Sequence, residues 1–154
     1  MKSRFLLGAA CLAALLTVSV AVADKNAVNL EGVKCLLNPK GAAKADKTAA
    51  FEGGKVFFCC GNCPKTFDGK VGKSEALRAK ARAQLIATGQ ASQGKCPISG
   101  GPAKAGTEVV VGGAKVRFCC KNCQGKVAGL SGDKQLITAL GDKASKKAKV
   151  KVGK

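Results

Sequence analysis

The pattern of apolar and polar positions changes period several times along this chain. Residues 5–23 form an uncharged run that follows Lys2 and Arg4 and closes on Ala21-Val22-Ala23 before Asp24. A positive start, an apolar middle and a small-x-small ending predict a secretory signal peptide over residues 1–23. An uncleaved anchor is the alternative, because the run approaches the about 20 residues that span a bilayer. Farther on the period drops to two: residues 107–111 and 115–118 flank Gly112-Gly113-Ala114, and residues 48–51 and 55–58 flank Glu52-Gly53-Gly54. Each arrangement predicts a β-hairpin, with Val56 and Phe58, or Val116 and Phe118, on one buried face. Over residues 74–88 the spacing becomes helical, with Leu77, Ala81, Leu85 and Thr88 on one side, Ser74 as cap and Gly89 as stop. Short helices are expected after Asn62 and Asn122, which read as N-caps, and over residues 133–140. Residues 143–154 are lysine-rich and read as a solvated tail too poor in apolar surface to order itself.

The two hairpins belong to an internal repeat. Of nine cysteines, Cys11 lies in the leader, and the other eight form two sets: Cys35, Cys59, Cys60, Cys63 and Cys96, Cys119, Cys120, Cys123. The last three of each set are offset by 60 residues and the first by 61, so one single-residue gap relates the copies. Residues 53–63 and 113–123 share eight identities in eleven positions, which marks a duplication. The expected organisation is a leader (1–23), a first module (24–70), a connecting helix (71–93), a second module (94–130), and a short helix with a lysine-rich tail (131–154). The expected fold class is α+β, with each module a small hairpin followed by a short helix.

In each module the hairpin carries the chain out and back, so that Cys59 returns beside Cys35, and a helical turn folds Cys63 toward the same point. Cys96, Cys119 and Cys123 repeat the arrangement. Three thiolates so placed suit Cu(I), or Zn(II) with a fourth donor, about one ion per module. Cys60 and Cys120 are the optional fourth ligands, although neighbouring residues on a strand point to opposite faces unless the strand bends. Two other readings stay open. Eight cysteines in a small exported chain are also what a disulfide framework would contain. And Cys60-Gly61-Asn62-Cys63 and Cys120-Lys121-Asn122-Cys123 have the Cys-x-x-Cys form of redox proteins, although the surrounding chain is too short for a thioredoxin-like sheet. An oxidised resting form and a reduced, metal-loaded form can interconvert.

At Cys35, Phe58-Cys59 and Cys63, and again at Cys96-Pro97-Ile98-Ser99-Gly100, Phe118-Cys119 and Cys123, the chain resembles the TRASH and YHS families of small heavy-metal modules. Phe67 matches the aromatic that follows the last cysteine, and Val127 replaces it in the second copy. The first copy opens Cys35-Leu36-Leu37-Asn38-Pro39 in place of Cys-Pro-x-Ser/Thr-Gly, and 23 and 22 residues lie between the first two cysteines in the two copies. The resemblance covers residues 33–69 and 94–129. It implies a three-thiolate site per module and a role in metal trafficking, sequestration or sensing. More loosely, the layout resembles secreted two-module proteins of planctomycete-type bacteria, a likeness that brings no activity with it.

Composition narrows the choice. The formal net charge is +18, and it is +16 once Lys2 and Arg4 leave with the leader, which favours acidic protein partners or anionic surfaces. After the leader the only arginines are Arg78, Arg82 and Arg117, and the phenylalanines sit beside cysteines rather than among lysines, so no nucleic-acid pattern is present. The chain has no His, and its only Met is Met1, which removes imidazole and thioether ligands and most general acid–base chemistry. The expectation is a non-enzymatic, secreted or periplasmic metal-binding protein with no membrane span after leader cleavage.

Overall fold

Two-residue turns set the two hairpins. Glu52 and Gly53 have φ of 48° and 86°, and Gly112 and Gly113 have 58° and 87°, the positive-φ pairs that match the natural twist of a two-residue hairpin. In the computed structural model, which describes residues 28–153, these turns join β1 (Lys44–Phe51) to β2 (Gly54–Phe58) and β4 (Glu108–Val111) to β5 (Ala114–Arg117). The leader expected at 1–23 lies outside the described residues. Each hairpin leads into a helix, α1 (Asn62–Val71) or α3 (Lys121–Ala128), and each of these into a second, α2 (Glu75–Ala87) or α4 (Gly132–Leu140). The architecture is α+β: helices packed on three separate two-stranded antiparallel sheets.

The face pattern of the second hairpin is the expected alternation, with Ala114, Val116 and Phe118 buried and Lys115 and Arg117 exposed. The first departs from it, because Phe57 is buried along with Val56 and Phe58. Helix α2 begins after Ser74, whose hydroxyl accepts from the Leu77 amide at 3.2 Å, and the chain leaves it through Gly89 at φ 74°. The side predicted as apolar, Leu77, Ala81 and Leu85, packs with Val56, Phe58 and Phe67 in the first module's core. The opposite side, Ala79 and Ala83, packs into the second module's core with Val116, Phe118 and Leu136. One helix therefore divides two cores, and its small residues let the second hairpin close in. A Cβ on Gly112 would stand 2.9 Å from Leu136 Cδ2 and 3.1 Å from Ala83 Cβ.

Side-chain amides close the outer edges of β2 and β5. Gln84 accepts from the Phe57 amide and donates to its carbonyl; Gln90 does the same at Lys55, and Gln93 at Arg117. Each glutamine supplies the donor and acceptor of a missing strand, satisfying backbone groups that would otherwise offer an edge for pairing.

The C-terminus corrects an expectation. Instead of an unordered lysine tail, the chain forms α5 (Asp142–Ala148) and β6 (Val150–Val152), which pairs antiparallel with β3 (Ala91–Gln93). Ala144 and Ala148 are buried, Val150 packs on both cores and Val152 on the first, while Lys146 and Lys147 face solvent. A one-sided alanine–valine stripe too short to register as amphipathic anchors the segment. Its first residue, Asp142, is held at 2.7 Å by Arg78 and at 2.9 Å by Arg82. Arg82 is almost fully buried; it also pairs with Glu52 in the first hairpin turn and donates to the Leu140 carbonyl. Glu52 thus combines this pairing with a left-handed backbone, which costs a non-glycine residue of order 1–2 kcal/mol.

Gly112→Ala is expected to destabilise the chain by about 1–3 kcal/mol, through both backbone strain and overlap with Leu136. Gly113→Ala, with nothing within 4 Å of its Cβ position, incurs the backbone term alone, about 1–2 kcal/mol; urea melts of the two variants check the difference. Asp142 is held down at about 2, first by the hydrogen bonds from Arg78, then, against the opposing effect of burial, by those from Arg82. A carboxyl lowered in the folded state stabilises above its unfolded pKa of about 3.9, and this contribution is lost as pH falls toward 2. Asp142→Asn should therefore lower stability at pH 7 by up to about 1 kcal/mol, a small value because the carboxylate is partly exposed. The gap from wild type should close between about pH 4 and pH 2 in parallel melts.

Candidate metal centre

Each cysteine set is assembled by the same three local structures. The first cysteine stands beside an isolated bridge, Lys34 with Ala42 in one copy and Lys95 with Pro102 in the other. The loop is closed by its own amide: Cys35 N–H donates to the Gly41 carbonyl and Cys96 N–H to the Gly101 carbonyl, both at 2.8 Å. The second cysteine follows the returning strand, and the third lies in the first turn of α1 or α3. In the first copy the close approach of the loop to the strand end requires glycine at position 41. A Cβ on Gly41 would lie 2.8 Å from Cys59 Cβ and 3.1 Å from its sulfur.

The result is convergence. Cys35, Cys59 and Cys63 place their sulfurs within 4.8 Å of one another, and Cys96, Cys119 and Cys123 do the same. Cys59 and Cys63 are 4.0 Å apart, and Cys119 and Cys123 are 3.6 Å apart. Thiolates bonded at about 2.3 Å to one tetrahedral ion sit about 3.8 Å from each other, so the donor set fits a soft ion. Disulfide sulfurs would be about 2.05 Å apart; all eight cysteines among the described residues are free.

The fourth cysteine of each set lies outside the triad. Cys60 and Cys120 are exposed, whereas Cys35 and Cys96 are 3% and 0% exposed. The bend between strand and helix nonetheless brings Cys60 within 3.3 Å of Cys63 and leaves Cys120 3.7 Å from Cys119. The N-caps are not the expected asparagines. Gly61 and Cys120 occupy those positions, without side-chain capping, and Asn62 and Asn122 fall inside the first turn. Pro64 follows Cys63 where its missing N–H costs nothing.

Protonation differs sharply among the thiols. Burial raises Cys96, but the Ser99 hydroxyl and the amides of Ser99, Cys119 and Ile98 outweigh it and bring the thiol down to about 6. Burial likewise opposes a net lowering of Cys35 by the amides of Cys59, Asn38 and Leu37. Cys63 is pushed up to about 12, first by its hydrogen bond to Cys60 and then by burial. Cys123 reaches about 12 through burial, then its contacts with Cys119 and Cys120. Cys60 falls to about 7 because Cys63 donates to it. The loop cysteine of each triad is thus lowered, while Cys63 and Cys123 are raised by hydrogen bonding and burial. A bound cation favours the thiolate form of each ligand, so binding releases protons.

Ser99 was not singled out as a site residue from the sequence. Its hydroxyl lies 3.2 Å from the Cys119 sulfur and also accepts from the Gly101 amide at 3.1 Å, and the first module has no hydroxyl at the corresponding place. Its position three residues after Cys96, before Gly100-Gly101, is the signal that could have found it. Comparison with protein-family models, curated proteins and solved structures finds no match to this chain.

Alkylation of the reduced, metal-free chain should proceed in a fixed order. Cys60 and Cys120 react first because they are exposed and lowered, and Cys35 and Cys96 last because they are buried. Time-resolved iodoacetamide labelling read by peptide mass spectrometry checks the order; uniform labelling of all eight would contradict this geometry.

Proposed function

We propose that this chain is a non-enzymatic, exported metal-binding protein that takes one Cu(I) or Zn(II) ion at each of two three-cysteine centres, Cys35/Cys59/Cys63 and Cys96/Cys119/Cys123. The observation that carries this reading is the repeated convergence of three sulfurs within 4.8 Å, in a chain that has no histidine and so offers only thiolates as soft donors. The TRASH/YHS resemblance and the pattern of residues 1–23 support the same reading and point to trafficking, sequestration or sensing outside the cytoplasm. No helix among the described residues is long and apolar enough to cross a membrane. The lysine excess suits an acidic protein partner or anionic surface, toward which it would steer the loaded chain.

A second reading, thiol–disulfide exchange, is favoured by the 3.3 Å contact between Cys60 and Cys63. It ranks below metal binding because it uses two sulfurs and leaves the buried loop cysteine, the most elaborately bonded member of each set, without a task.

Metal analysis of the chain purified anaerobically under reducing conditions is expected to give two ions per chain. Cys59→Ser should reduce this to one, with the second site intact. Absence of metal from the reduced wild type, together with an oxidised chain equally destabilised by Cys59→Ser and Cys60→Ser, would establish the disulfide framework instead, at about 2–5 kcal/mol for each lost bridge.

A further inference from the structure

Resting on that metal reading, we propose that Cys60 and Cys120 are exchange thiols, through which an ion enters each triad from a thiolate-bearing donor and leaves it for a thiolate-bearing acceptor. Three observations carry this. Each module places an extra cysteine directly after the second member of its triad, and both extra thiols are exposed while both loop cysteines are buried. Each extra sulfur already lies beside one triad sulfur, 3.3 Å from Cys63 in the first site and 3.7 Å from Cys119 in the second, within about 0.5 Å of the separation of about 3.8 Å between thiolates sharing a tetrahedral ion. And each triad is closed on one side: Cys35 and Cys96 are buried beneath their loops, so an incoming protein thiolate cannot reach the ion from there and must come from the side where Cys60 or Cys120 is exposed.

An ion held by the three triad thiolates alone can leave unaided only by breaking a bond with nothing to replace it. A solvent-facing thiol changes this. In the first site the Cys60 sulfur bonds to the ion as the bond to Cys63 breaks, and the proton that leaves Cys60 passes to Cys63, 3.3 Å away. No net proton is released and the oxidation state of the ion is unchanged. The ion then sits on Cys60 at the surface, where an acceptor thiolate adds before Cys35 and Cys59 let go. Protons from the acceptor's thiols end on the vacated cysteines, and loading from a donor runs the same steps in reverse. In the second site Cys120 exchanges first with Cys119.

The measurement separates rate from affinity. The full chain, loaded with Zn(II), is mixed in stopped flow with a short peptide carrying a Cys-x-x-Cys pair, and its equilibrium affinity is measured separately by competition with a chromophoric chelator. In the Cys60→Ser/Cys120→Ser variant, transfer to the peptide should slow about tenfold or more, while affinity changes by less than about threefold. The wild-type rate should rise with peptide concentration, and the variant rate should become independent of it, limited by unaided dissociation. Because both positions are exposed, each serine variant is expected to fold, and bound stoichiometry checks that its triads are intact. Equal losses in rate and affinity would make these cysteines ordinary fourth ligands and overturn the proposal. An unchanged rate would overturn it as well, while leaving the two-ion stoichiometry of the metal reading standing; a wild type that binds no Zn(II) or Cu(I) removes both.

Discussion

Helix α2 has to satisfy two cores with a single cylinder of side chains, and this requirement organises the rest of the molecule. Leu77, Ala81 and Leu85 face the first hairpin, while Ala79 and Ala83 face the second. The two sides are unequal in size. The second hairpin comes close enough that its turn requires glycine at position 112, against Ala83 and Leu136. The first also meets the helix at a glycine, Gly54, whose Cβ would fall 2.6 Å from Leu85 Cδ2. A helix buried on both sides leaves little room for polar groups, yet Arg82 and Gln84 are buried in it. Both are fully bonded: Arg82 to Glu52, Asp142 and the Leu140 carbonyl, and Gln84 to Phe57 and Lys34. They fix the hairpin turn, the strand edge and the C-terminal helix to one scaffold, as buried polar groups do when every donor is used.

That scaffold determines how well the cysteines are held. The second and third of each set hang from the end of a strand and the start of a helix, so their separation follows from the hairpin-to-helix angle. The angle is fixed in turn by Phe58 and Phe67 in one module and by Phe118 and Val127 in the other, all four fully buried. Phe58 and Phe67 meet with ring centroids 5.5 Å apart, and Phe67 also meets Phe51 edge-on at 5.8 Å. The second module replaces the Phe67 ring with Val127 and makes up the volume from Leu136 and Leu140 of α4. The two sites therefore reach similar sulfur geometry from different packing.

Much of this was legible in the sequence, for identifiable reasons. Period-two runs interrupted by glycine pairs gave both hairpins, and the cap at Ser74 with the i, i+4 spacing of Leu77, Ala81 and Leu85 gave α2. The hairpin that returns Cys59 to Cys35 and the helical turn at Cys63, repeated in the second copy, placed three cysteines of each copy in one cluster. What escaped detection was small or distributed. The second apolar side of α2 consists of alanines, which carry too little hydrophobic weight to outvote the charged residues between them. β3 and β6 are three residues each and gain their stability from pairing across some 60 residues, which no local window reports. The lysines of α5 dominate its composition although the alanines on its other side decide its placement. The edge-closing role of Gln84, Gln90 and Gln93 has no one-dimensional signature, since a glutamine in a helix or loop is normally a solvated residue.

The one-residue gap between the copies shows which distances the duplication has kept. It falls in the loop after the first cysteine, seven residues from Cys35 to Gly41 against six from Cys96 to Gly101, yet both loops close with the same 2.8 Å bond from the cysteine amide to the glycine carbonyl. The longer loop is braced by the Asn38 side chain accepting from the Lys40 amide, and the shorter by Ser99 accepting from the Gly101 amide. Different turns thus deliver the first sulfur to within 4.8 Å of the second and third in both copies. The fourth sulfur is not held to a common position: Cys60 stands on a turn beside Cys63, whereas Cys120 is an extended N-cap residue beside Cys119. A framework of four paired cysteines would have to keep all four positions in step. Three sulfurs converge in both copies while the exposed fourth takes a different place in each, an arrangement that supports the proposed three-thiolate site with an outer thiol over a framework of four paired cysteines.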